Sequence, residues 1–428
     1  MTAVTEFVSG AFLPLVLFFT GIYFFIFLAR HIFSPLKVYH ALKKGRDRSL
    51  SFSSLWLALG GTLGVGNITG VCAAISVGGA GTVFWIWVCA LFSSVIKYSE
   101  TVLAVHFRET DGNGRRFGGA YSYIKNALKS PRTAVFFAIL CVITSFTMGN
   151  ITQVKSASDA AYYAFGIPTP IFSFLFFVIV LIICSGGGKL ITAFTGFTVP
   201  FLCVFYVVLS LIVIVALREN IPEVTARIFR EAFTPRAGVS GIAAYLCSHA
   251  MRLGITRGVM SNEAGCGTAP IAYAAGKSTD ACGTGLLGIA EVLCDTLLLC
   301  TLTAYAVLLS GTAMQDSSVL TAYSAFSSVL GKFVYSLLGA SISLFALAAV
   351  TAWGFYGRSA LDFLGTKSPA TAVYCFFFSF SSFLSAFIPE SLCWTLADLS
   401  ISLMAVINVI ALFLLFPTVK KLTKEYFR

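Results

Sequence analysis

The chain is expected to be an all-α polytopic membrane protein, and three observations predict this. Only 11% of its 428 residues are charged, against 57% hydrophobic and 14% aromatic, whereas a soluble domain carries about a quarter charged residues. Apolar runs of about 20 residues, the length that carries a helix across hydrocarbon, recur from end to end. Two of those runs are interrupted by glycine-rich stretches, GGTLGVGNITG at 60–70 and GITRGVMSNEAGCGTAP at 254–270. Glycine costs a helix interior roughly 1 kcal/mol relative to alanine. In lipid, every backbone group so freed needs a partner inside the protein. Such breaks are tolerated where they line a site, and one break per half of a chain is the pattern of a transporter.

Taken in order, eleven membrane-spanning helices are predicted, at 8–30, 55–77, 82–107, 133–162, 169–185, 189–217, 240–268 (interrupted), 284–311, 333–364, 370–388 and 393–416. The first is an extra N-terminal helix that, with the basic loop after it, occupies 1–50. The other ten divide as five in 51–217 and five in 240–416, joined by the segment 218–239. Five helices per half give the halves opposite topology, an inverted repeat with a broken helix opening each. The whole of 1–428 is thus one transmembrane domain that ends in a basic tail at 417–428.

Lys and Arg concentrate in the first loop (Arg30, Lys37, Lys43, Lys44, Arg46, Arg48), in the loop after the third span (Arg108, Arg115, Arg116, Lys125, Lys129, Arg132) and in the tail (Lys420, Lys421, Lys424, Arg428). Eleven spans put all three on one side, so the positive-inside rule places the N-terminus outside and the C-terminus in the cytoplasm of the plasma membrane. The same distribution assigns the net charge of +11 to loops rather than to a nucleic-acid surface. No Lys or Arg precedes Arg30, so the first span does not read as a signal peptide. The segment 221–232 reads as an amphipathic helix on the outer face. The 12 Cys residues show no CxxC spacing and read as small core residues.

In the first break Gly64, Gly66 and Gly70 permit unwinding, and Asn67 and Thr69 carry side-chain oxygens. Freed N–H groups suit a carboxylate and freed carbonyls suit a cation. The alternative is a glycine face for close helix packing. In the second break Ser261, Asn262, Gly265 and Gly267 suit an unwound turn, while Arg257 and Glu263 are expected to pair at a helix end, as a structural or gating ion pair. Other polar residues within spans are Lys97 and Glu100, spaced to pair with each other, and Asn150, Gln153, Glu291, Asp295 and Asp398. Lys155 either pairs with Asp159 at i,i+4 or reaches the outer surface. Trp353 reads equally as a pocket wall or as packing. The four His residues are scattered, HExxH is absent and no nucleophile–base pair is visible, so an enzyme is not expected, nor a cofactor.

Four stretches, LGVGNITGV, GGAGTVFWIWVCALFSSVIKYSE, RGVMSNEAGCGTAPIA and CDTLLLCTLTA, resemble the alanine/glycine:cation symporter family, also called sodium:alanine symporters. The resemblance runs from about Ser51 to Gly357 and continues more weakly to the C-terminus. It implies a leucine-transporter fold with an extra N-terminal helix and uptake of alanine or glycine driven by sodium. Carried over residue by residue, it implies that Gly66, Asn67, Thr69, Gly70, Gln153, Gly258, Ser261, Asn262 and Trp353 line the amino-acid pocket. A sodium ion would draw on Gly64, Asn67 and Thr351, and coupling or gating would involve Lys155, Asp159, Arg257 and Glu263. The implied partners are an amino acid, a monovalent cation and membrane lipid, with no nucleic acid and no obligate protein.

The chain departs from the family where sodium is concerned. The Ser-Thr pair of the family's FAFSTIxGW pattern falls on Ala348 and Ala349, and an Asn common two residues after the pocket Gln is Lys155. GGPG and GGPMYYI have become GGAG at Ala80 and GGAYSYI at 118–124. Sodium coupling is therefore expected to be weakened or replaced, by protons or by a tethered ammonium. Ordinary sodium symport, uncoupled transport and an amino-acid sensor on the same fold are the alternatives.

Overall fold

The computed structural model describes residues 13–34, 52–110, 114, 116–233, 249–312, 314–315, 317–365 and 368–428. Helix α1 (Leu13–Ile32) is followed by the broken pair α2 (Phe52–Thr62) and α3 (Thr69–Gly78), then by α4 (Gly81–His106). A two-stranded hairpin, β1 (Glu109–Thr110) with β2 (Arg116–Phe117), leads to the short α5 (Ala120–Asn126). Next, α6 (Pro131–Phe146) and α7 (Thr152–Phe165) run on through a π turn at Thr147–Ile151, followed by α8 (Thr169–Ser185) and α9 (Gly187–Ala216).

Past the connecting α10 (Ile221–Ala232), the second half holds the broken pair α11 (His249–Asn262) and α12 (Pro270–Ala274). Then α13 (Ala281–Val292) and α14 (Thr301–Ser310) run on through a π segment at Leu293–Cys300. The chain closes with α15 (Ser318–Leu330), α16 (Val334–Phe363), α17 (Ser368–Leu384) and α18 (Glu390–Tyr426).

Among the described residues eight helices are long and apolar enough to span a bilayer, and nine if the pair α2–α3, bent by 64°, is one span. The eleven expected spans are reached only by adding α8, which is 17 residues long, and the α11–α12 pair; the expected stretch 240–248 of the latter lies outside the described residues. Three further elements differ from expectation. Helix α15 lies between two expected spans, where no element was expected. The π segments sit where continuous helix was expected. The basic tail is no separate segment, because α18 continues through Pro417 to Tyr426. The amphipathic helix expected at 221–232 is present as α10, capping the bundle where its Glu231 carboxylate accepts from the Ala80 N–H at 2.7 Å.

Lipid-facing and core-facing helices separate cleanly. Helices α8 and α9 expose rows such as Phe174, Ile182, Phe197 and Val204, whereas α4 buries 83% of its apolar window and packs on α11 and α13. The centre of the bundle is therefore where α4, the two breaks and the π segment meet.

Candidate substrate and cation site

The first break is shorter than its glycines suggest. Helix α2 continues through Gly60 and Gly61, and the unwinding is confined to 63–68, where Val65–Asn67 forms one 3-10 turn. The Gly64 N–H turns back to the Thr62 carbonyl, so the Val65 N–H finds its acceptor outside the backbone, in Gln153 Oε1 at 3.0 Å. That closeness explains Gly64, since a Cβ there would lie 2.4 Å from Gln153 Oε1. Gly66 and Gly70 face open space, with nothing within 4 Å of a Cβ, so neither is required by close packing. Thr69 is buried, and its hydroxyl closes onto the Val65 carbonyl at 3.0 Å.

Gly64→Ala is expected to push Gln153 off the Val65 N–H. Leaving a buried donor unsatisfied costs about 1–3 kcal/mol, so the variant should unfold at a lower temperature than the unmodified protein, read by thermal melting in detergent.

The second break occupies 263–269. Its backbone turns through left-handed conformations at Glu263 (φ 52°), Gly265 (φ 88°) and Gly267 (φ 76°). Glu263 bears a side chain where glycine is favoured, and its buried carboxylate explains how it is held there: Trp353 Nε1 donates to Oε1 at 3.2 Å and Thr268 Oγ1 to Oε2 at 2.5 Å. Asn262 holds the same turn, accepting from the Ala264 N–H at 3.0 Å and donating to Thr296 at 3.1 Å.

Between the breaks lies Asp295, on the π segment and fully buried. Its Oδ1 accepts from Asn67 Nδ2 at 2.8 Å, and its Oδ2 accepts from Ser261 at 2.6 Å and Thr296 at 2.7 Å. Thr303 donates to the Asn67 carbonyl at 2.9 Å, tying α14 to the first break. Asn67 Oδ1 is buried and has no hydrogen-bond partner. One carboxylate, two hydroxyls and an unpartnered amide oxygen, drawn from the first break, the end of α11 and the π segment, form a cluster of hard oxygens of the kind monovalent cations take. Apart from Asn67 and Ser261, these residues stood only as isolated polar positions or unremarked ones in the sequence; their signal was CDTLLLCTLTA at 294–304, which carries Asp295, Thr296, Cys300 and Thr303.

Asn67, Gln153, Ser261, Asn262 and Trp353 thus converge, while other expected site residues do not. Gly258 sits inside α11 where a Cβ would lie 2.8 Å from Cys89 Sγ, so it serves helix packing. Arg257 does not pair with Glu263; its guanidinium lies 5.0 Å over the Trp394 ring. Lys155 pairs with Asp159 at 3.3 Å, both partly exposed, which removes it as a tethered ammonium in the centre. Lys97 pairs across the bundle with Glu291 at 3.5 Å instead of with Glu100. Trp353 is fully buried with its ring against Gly149, where a Cβ would lie 2.4 Å from Cγ. Ala348 and Ala349 are fully buried, and Thr351 donates its hydroxyl to the Ala348 carbonyl of its own helix at 3.0 Å. The wall expected to offer sodium two hydroxyls offers methyls.

Residues 1–428 match the sequence model of the sodium:alanine symporter family. The sodium/alanine symporter AgcS of Methanococcus maripaludis is 31% identical over 446 residues, covering 100% of this chain and 96% of that protein. A probable sodium/glutamine symporter, GlnT of Bacillus subtilis, is 31% identical over 397 residues, covering 91% and 80%. Among solved structures, a manganese transporter of Eremococcus coleocola superposes with a TM-score of 0.53 at 13% identity, covering 86% of this chain and 77% of that one, a likeness of fold alone. The family and these relatives are transporters, not enzymes.

Proposed function

The chain belongs to the sodium:alanine symporter family, and from that premise we propose that it imports a small neutral amino acid, alanine or glycine, across the plasma membrane, coupled to sodium. The observation that carries this reading is the meeting of the first break and the end of α11, which leads into the second, on one buried carboxylate, Asp295, through Asn67 and Ser261. The amino acid would lie beside Gly66 and Gly70, where the break borders open space, with Gln153 and Trp353 near it. Sodium would sit among Asp295, Asn67, Ser261 and Thr296. A cation there joins the two broken helices, so its occupancy changes the balance between inward- and outward-facing states. A ligand shifts such a balance only through its differential affinity for them.

Purified protein in liposomes tests this with radiolabelled alanine and glycine under imposed sodium or proton gradients. Accumulation driven by sodium supports the proposal. No accumulation of either amino acid under either gradient overturns it.

A second reading, in which a proton drives uptake, is favoured by one observation, the oxygen-free wall at Ala348 and Ala349. Ala349→Thr restores one hydroxyl there, at an overpacking cost of about 1–3 kcal/mol. Sodium dependence of uptake should steepen in this variant; an unchanged dependence shows that position 349 is not the missing ligand.

A further inference from the structure

A second polar cluster adjoins the Asp295 site, around α4. Glu100, Glu263, Glu291 and Asp295 are the buried carboxylates among the described residues, and Lys97 is the buried ammonium that shares their interior. Lys97 faces Glu291, whose other oxygen accepts from Tyr273 at 2.8 Å.

Glu100 is held differently. Its Oε1 accepts from the Gly267 N–H at 2.9 Å and from Asn408 Nδ2 on α18. Asn408 also donates to the Gly265 carbonyl at 2.9 Å and accepts from Tyr123 on α5. The other oxygen, Oε2, is fully buried and has no hydrogen-bond partner. Lys97 on its own helix, Glu263 and Cys266 on the break, Glu291 on α13 and Tyr123 on α5 are the titratable groups that face this cluster. The single ammonium among them is already paired with Glu291. Lys97 also attracts Glu100, but that one ammonium is shared with Glu291, and Oε2 itself receives no hydrogen bond. Ionisation of a carboxylate oxygen left without a donor in such an interior is disfavoured.

We infer that Glu100 is a proton-binding site, neutral while the bundle is sealed and ionised when the second break moves away from α4. As the bundle seals, hydronium gives a proton to Oε2: one O–H bond of hydronium breaks as the carboxyl O–H bond forms, and a neutral water leaves. On opening, that O–H bond breaks heterolytically, the proton passes to water and the carboxylate stays behind. The geometry supplies the link: Oε1 accepts from the break itself at Gly267, so moving the break away opens the packing around Glu100, and water enters to hydrate both carboxylate oxygens in place of the Gly267 N–H. The opening step rests on the transporter reading, whereas the protonation of Glu100 is measurable without any transport.

Infrared spectra of the full-length protein at neutral pH, in water and deuterium oxide, test it. A deuterium-sensitive C=O stretch of a protonated carboxylic acid is expected in the unmodified protein and should lose one component in Glu100→Gln. Superimposable bands overturn the inference. Should Glu100→Gln fail to fold, Asn408→Ala serves, because removing a donor from Oε1 must shift that component; an unshifted band overturns it equally.

Discussion

Asp295→Asn is expected to weaken the apparent sodium affinity of uptake roughly 10- to 150-fold while the protein still folds. The substitution keeps the side chain's shape and leaves an oxygen for the Ser261 and Thr296 hydroxyls, which donate to Oδ2 at 2.6 and 2.7 Å. It removes the charge and sets an amide NH2 against Asn67, which now donates to Oδ1. Hydrogen bonds to charged groups contribute about 1.5–3 kcal/mol, and that range converts to the stated fold-change. Sodium titration of alanine uptake in liposomes measures it. Wild-type sodium affinity in Asp295→Asn would move the cation away from this residue.

Lys97→Met is expected to be strongly destabilising. It deletes the ammonium of the buried Lys97–Glu291 pair and strands Glu291, whose Oε1 has no hydrogen-bond donor. Removing one partner of a buried ion pair costs about 3–5 kcal/mol because an uncompensated charge stays behind. Replacing both partners by uncharged groups is often nearly neutral. Lys97→Met should therefore unfold at markedly lower temperature in detergent, and adding Glu291→Gln should restore most of the loss. A double variant no more stable than Lys97→Met would show that the two residues are not coupled.

Much of the fold was legible in the chain itself. Spans are long apolar runs, and hydrocarbon enforces that length on any helix crossing it, which is why α4, α9, α16 and α18 stood where the runs did. The breaks were legible through their glycines, but not their extent. Gly60, Gly61, Gly254 and Gly258 stay helical because they serve close packing, as Gly258 does against Cys89. A glycine that permits unwinding and one that permits contact look alike in a sequence.

The site was legible in part, for a reason of reach. Asn67, Gln153, Ser261, Asn262 and Trp353 could be named from local pattern and resemblance. The partners that give them a role could not, because Asn67 meets Asp295 across 228 positions of chain and Trp353 meets Glu263 across 90. Local spacing offered nearer partners, Lys97 with Glu100 and Arg257 with Glu263, and the packed bundle used neither. Pairing in a dry interior goes to the group that the crossing helices bring within reach, and sequence spacing does not encode that crossing.

By itself, then, the sequence determined a membrane-spanning helical chain, two breaks and a family. These follow from composition, hydropathy and motif, all of which are properties of the chain read along its length. Only the tertiary structure decided that the first break and the end of α11 close on Asp295, that Lys97 answers Glu291 and that Glu100 keeps one oxygen unpartnered. Those are contacts between distant segments, set by which helix faces meet once the lipid-facing surfaces have turned outward.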